Sequence, residues 1–151
     1  MSANFSCVSV FCDDIRHEIN GKISLMGLYG DIMYVPDFPF TASKICAYFD
    51  LRVPPNMQNA TDAMLTVMKG ADKVSSITLP LGSHENAPKV PHGKPHVYGR
   101  SSGAMEFPAM TLTEPTLLEV IVQMDGQSVI GGRLWVTQFP QREEIANPAS
   151  N

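Results

Sequence analysis

Residues 11–22 read FCDDIRHEINGK, and Asp13, Asp14, Arg16, His17 and Glu18 fall within six consecutive positions of it. Carboxylates and a neutral imidazole are the donors of a divalent-metal site, and two carboxylates held close together make an acid/base pair because one must keep its proton. A second group lies further along the chain. His84, His92 and His96, with Glu85 nearby, carry ligand atoms suited to zinc or nickel. Among them Lys89, Lys94, Tyr98 and Arg100 make a locally basic stretch able to dock a phosphate or an acidic surface. Ser101 and Ser102 in GRSSGAM and the thiols of Cys7, Cys12 and Cys46 are the nucleophiles to weigh.

Whether these groups converge depends on the elements that carry them. Asn20-Gly21 is a hairpin signal between CDDIRHEI and KISLMGLYG. A three-residue loop, Ile19-Asn20-Gly21, pairs Glu18 with Lys22, His17 with Ile23, Arg16 with Ser24, Ile15 with Leu25 and Asp13 with Gly27. This register sends Ile15 and Leu25 inward together and leaves Glu18/Lys22 and Arg16/Ser24 as outward polar pairs, whereas a two-residue loop would set Arg16 against Leu25. Successive side chains of a strand point to opposite faces, so Asp13 and Asp14 cannot share a metal or a proton. Asp13 then falls on the inward face between Phe11 and Ile15, where it needs backbone donors or a basic partner.

The other candidates weaken on the same grounds. His92 and His96 are four apart, but Gly93 and Pro95 forbid the helix that would aim both rings at one metal, so no metal is expected. GRSSG matches the spacing of a nucleophile elbow without a following helix. Cys7 and Cys12 face opposite ways on one strand and read as small buried residues. Trp135 shares a strand face with Arg133 and Thr137, opposite Leu134 and Val136; if that pair points inward, Trp135 is an outward anchor for a partner. The binding candidates are therefore Lys89, Lys94, Tyr98, Arg100 and Trp135, with no catalytic residue and no cofactor expected.

Period-two alternation runs through the chain, most plainly in KICAYFDLRV and in TLLEVIVQMDG, where Asp125-Gly126 turns into QSVIGGRLWVTQF. Shorter candidates are FSCVSVFC, KISLMGLYG, DIMYV, AMLTVMKG, KVSSITLPL and AMEFPAM. About eight or nine short strands separated by Pro/Gly/Asn/Asp clusters, with no amphipathic helix, predict an all-β, single-domain antiparallel sandwich of immunoglobulin-like type. It spans residues 1–140, with a long loop at 82–103 and a polar tail at 141–151. Its expected core is Phe11, Ile15, Leu25, Ala47, Phe49, Leu51, Leu65, Val67, Leu118, Val120, Val122, Leu134 and Val136.

At 151 residues one domain can bury a core without disulfides or structural metal. Fifteen acidic against eleven basic residues give a net charge of -4, which disfavours nucleic acid as a partner. Three cysteines without a C-x-x-C pair predict reduced thiols, and the chain offers neither a secretory leader nor an apolar run long enough for a membrane span. A cytoplasmic protein is expected, or a virion-associated one if phage-encoded.

The run FCDDIRHEINGKISLMGLYGDI, followed by VPDFPF and the closing pair LLEVIVQMDGQSVIGGRLWV, resembles a family of small uncharacterised bacterial and phage-borne proteins. The likeness is strongest over residues 7–53, weaker over 104–137 and absent in the 82–103 loop. It implies a single immunoglobulin-like sandwich and carries no assigned activity. The function expected is a non-enzymatic protein-binding or assembly module, with a phage-derived structural or host-interaction protein as its natural setting, acting through self-association or a protein partner. The rival readings are a small-ligand or nucleotide-binding sandwich with the basic loop as lid, and a metal-dependent enzyme using His84, His92, His96 and Asp13.

Overall fold

Alternation along each strand gives every segment one apolar and one polar edge, and two such surfaces bury themselves by facing each other. The computed structural model describes residues 4–54, 57, 60–81 and 99–141. Its strands are β1 (Ser6–His17), β2 (Ile23–Leu28), β3 (Ile32–Val35), β4 (Phe40–Ala42), β5 (Ile45–Val53), β6 (Asp62–Lys69), β7 (Asp72–Pro80), β8 (Gly99–Phe107), β9 (Met110–Leu112), β10 (Thr116–Met124) and β11 (Gln127–Gln138). They form a four-stranded sheet in the order β2-β1-β5-β8, a five-stranded sheet in the order β3-β11-β10-β6-β7, and a two-stranded clip, β4-β9. The protein is thus an all-β sandwich. No α-helix occurs among the described residues, and no helix there is long and apolar enough to cross a membrane.

Phe11, Ala47, Phe49 and Leu51 of the first sheet meet Leu65, Val67, Leu118, Val120, Val122, Leu134 and Val136 of the second, all buried in one cluster. Each large side chain among them contributes roughly 1.5–3 kcal/mol on burial. Ile15 is also buried, but in a separate small cluster with Cys12 and Cys46, and Leu25 is only half-buried against it. Their expected place in the main core is therefore corrected.

The cause is the path of β1. Its pairing with β5 ends at Cys12 opposite Cys46, while its pairing with β2 continues to His17 opposite Ile23. Beyond Cys12 the β1–β2 ribbon leaves the sandwich as an arm and crosses the outer surface of the first sheet. Ile23 and Leu25 there pack with Tyr48 and Ala104. The arm has the expected register, with Arg16 opposite Ser24 and Ile15 opposite Leu25. At its tip the Glu18 N–H donates to the Lys22 carbonyl at 2.8 Å. Asn20 and Gly21 both take positive φ, 69° and 72°.

Among the described residues eleven strands replace the expected eight or nine. The two added ones, β4 and β9, are three residues each, too short for alternation to show, and their Thr41 and Thr111 hydroxyls lie 3.0 Å apart. Residues 99–103, read as the end of the long loop, belong to β8 and pair in full register with β5. Gly and Ser hide that strand in the sequence because the Phe49 ring, packed over Gly103, supplies the missing side chain. The sandwich is also not wholly antiparallel: β3 runs parallel to β11.

A bulge in β11 brings the sheets together at one corner. Val120 pairs with Gly132 but Ile121 pairs with Ile130, leaving Gly131 as the extra residue. A Cβ on Gly132 would lie 2.9 Å from the Ser9 carbonyl carbon of β1 and closer still to its oxygen. Backbone against backbone at that distance admits only glycine. Gly132→Ala should therefore lower stability by about 1–3 kcal/mol through overpacking. Gly30→Ala, where a Cβ meets nothing within 4 Å, should stay within about 0.5 kcal/mol of wild type. Urea midpoints of the two variants check this, and equal midpoints would contradict it.

Candidate functional site

At the base of the arm the two adjacent aspartates part company. Asp13 accepts a hydrogen bond from the Tyr29 hydroxyl and lies over Gly27, which has no Cβ to occupy the space its carboxylate fills. Asp14 sits on the other side with Lys44, whose ammonium is 2.5 Å from its Oδ1. The expected separation of the pair is thus observed. The expected burial of Asp13 is not: it is exposed, because the arm has already left the sandwich at that point, and its partner is a phenol rather than backbone, Arg or Lys. Burial, then the bond to Asp13, raises the pKa of the Tyr29 hydroxyl.

Lys44 also reaches Glu106 at 3.4 Å, and the buried Cys46 thiol donates to the Asp13 carbonyl at 3.7 Å. Asp14, Cys46 and Glu106 offer three ligand atoms within 4.8 Å of one another. A lysine ammonium between the two carboxylates already supplies the positive charge a metal ion would bring. Burial raises the Cys46 thiol, so the thiolate needed for ligation is disfavoured. What this cluster does is pin the arm. Cys7 and Cys12 are likewise buried, free, and pushed up by burial to about 11.

Asp14 is held below its usual carboxylate value, first by the hydrogen bond from Lys44, and Lys44 is raised, first by the same bond. The signs set the window. A lowered carboxyl contributes stability above its unfolded value of 3.8 and loses it as pH falls through the folded pKa. A raised ammonium contributes below 10.5 and loses it as pH rises through its folded pKa.

Of the residues singled out from the sequence, Lys89, Lys94, Tyr98, His84, His92 and His96 lie outside the described residues. Arg100 is on β8 at the outer surface of the first sheet, beside a hollow of about 490 Å³ that it shares with Gly21, Ile23, Leu25, Tyr48 and Ser102. Its guanidinium is engaged: Nε and Nη2 donate to the two oxygens of Asp50, each at 2.9 Å. Ser102 lines the same hollow on an unbroken strand, with no elbow.

Trp135 is on the opposite side of the molecule. Leu134 and Val136 are fully buried, so Trp135 points out, 41% exposed, on the outer face of the five-stranded sheet. On the same face stand Ile32, Tyr34, Ile130 and Met64, each between 41% and 45% exposed, with Leu117 and Ile121 half-buried. Ile32 and Leu117 are the cross-strand neighbours of Trp135, Ile130 and Ile121 lie beyond the Arg133–Glu119 pair, and Met64 lies beside Gln123. Tyr34 stacks on Phe139 at 5.3 Å. The structure therefore separates Arg100 from Trp135 and flanks Trp135 with two apolar cross-strand neighbours, Ile32 and Leu117, that the sequence pattern did not single out. Leu117 and Ile121 could have been found from the parity of β10. Ile130 could not, because simple alternation from Trp135 turns it inward and only the extra Gly131 turns it out.

Residues 7–137 match the model of a family of unknown function, DUF6941, and the chain belongs to that family. The resemblance to an uncharacterised family thus holds over most of the chain. Among curated proteins none matches.

Replacing Lys44 by Met should let the Asp14 carboxyl titrate upward toward 3.8 or above. Carboxyl-carbon NMR titration checks this, and an unmoved Asp14 would show that Lys44 does not hold it.

Proposed function

We propose that the protein is a non-enzymatic protein-binding or assembly module that acts through the outer face of its five-stranded sheet. The observation that supports this most is the pair of apolar rungs that β3, β11 and β10 present there, Ile32–Trp135–Leu117 and Ile130–Ile121, on either side of the Arg133–Glu119 ion pair. Scattered exposed apolar residues are ordinary on any protein, but two apolar rungs on one face, one of them built on a tryptophan, with an ion pair between them have the composition of a contact surface. The acidic groups support the same reading, since Asp13, Asp14, Asp50 and Glu119 are each committed to a partner within the fold.

Lys89, Lys94 and Tyr98 belong to the proposal as a second contact region. The setting we assign is an immunoglobulin-like module with a phage-derived structural or host-interaction role, in the cytoplasm or on a virion. Three unpaired buried thiols suit a reducing compartment.

Light scattering on the pure protein, and again after incubation with host cytosol, tests the reading. Mass above the 16.5 kDa chain is expected in at least one condition, and Trp135→Ala should reduce it. A monomer in both conditions, indifferent to that substitution, would refute it.

A further inference from the structure

Register arranges the outer face of the five-stranded sheet in rungs. Ile32, Trp135 and Leu117 form one apolar rung, Arg133 and Glu119 form the next, and Ile130 with Ile121 form a third. The middle rung is an ion pair, Arg133 Nε to Glu119 Oε1 at 2.7 Å. Two apolar rungs therefore flank one rung of opposite charges, with β10 and β11 each contributing one member of every pair.

This pattern is complementary to itself. A two-fold axis lying between β10 and β11 and running along them exchanges the two strands while keeping each rung in place. It sets Trp135 over Leu117 of the partner subunit, Ile130 over Ile121 of the partner subunit and Arg133 over Glu119 of the partner subunit. On these two strands every apolar side chain then meets an apolar one and each charge meets its opposite. A single-sign partner surface would instead place a like charge over Arg133 or over Glu119, so charge complementarity selects a second copy.

Around this axis β10 and β11 of one copy lie over β11 and β10 of the other, and the four-residue β3 lies over β6, so the contact centres on the β10–β11 pair and leaves β7 outside it. Twisted sheets stacked face to face keep their strands within about 30° of one another, which this axis permits.

We infer that the protein forms a two-fold homodimer through this face, with the Arg133–Glu119 rung at its centre. The inference rests on the reading of the protein as a binding or assembly module and names its partner. Sedimentation velocity of the purified full chain, from low to high micromolar concentration, should give a dimer. Arg133→Glu and Glu119→Arg each place like charges across the axis, so each variant alone should dissociate, its affinity on the order of tenfold or more weaker.

Mixing the two variants should restore the dimer, because the doubly acidic rung of one then faces the doubly basic rung of the other. That recovery also shows that both variants are folded. A wild-type monomer at every concentration, or a dimer that neither variant weakens, would overturn the inference. A pure monomer that gains mass in host cytosol would overturn it while leaving the binding reading standing, and a monomer in both would remove both.

Discussion

The two glycines of the β11 bulge are the constraint on which the rest of the molecule depends. Gly132 lets β11 pass the Ser9 carbonyl at a distance no side chain tolerates, and so fixes the corner where the sheets meet. Gly131, the unpaired extra residue, reverses the facing of everything before it in the strand. Val129 thereby packs against the core while Ile130 turns to solvent, and Leu134 and Val136 stay buried after it. One local insertion thus closes the interior and completes the apolar surface outside.

Charge is distributed to the same end. The N-terminal acids look like a reactive cluster when written in a line, yet pleating sends Asp13 to a tyrosine and Asp14 to a lysine. Lys44 ties Asp14 on the arm to Glu106 on β8, so the arm is held across the first sheet by charge as well as by the Cys12, Ile15 and Cys46 cluster. Arg100 is held by Asp50 in the same way. The first sheet thus ties Asp14 and Asp50 into its own architecture, while the second carries on the β3, β11 and β10 part of its outer face two apolar rungs around the Arg133–Glu119 pair.

Much of this was legible in the sequence. The Ile19–Gly21 loop register, the Asp125-Gly126 turn and the buried series on β5, β6, β10 and β11 follow from period-two alternation and turn chemistry, which act over a few residues. What alternation could not reveal needed contacts from far along the chain. The departure of the arm depends on where β5 stops pairing. Residues 99–103 look like loop until the Phe49 ring is known to cover Gly103. The parallel β3 has no neighbour in sequence to announce it, and the outward facing of Ile130 was hidden because a bulge defeats simple parity. Lys44, which organises the base of the arm, sits in a stretch without any motif.

Methyl NOE spectroscopy on the wild-type chain tests the account at its root, because the facing of β11 before and after the bulge can be read directly. Ile130 methyls should show cross-peaks to Ile121, and Val129 methyls to Val122. Cross-peaks from Ile130 to Val122 and the buried leucines would mean that the strand runs unbroken through Gly131, and the outer face described here would not exist.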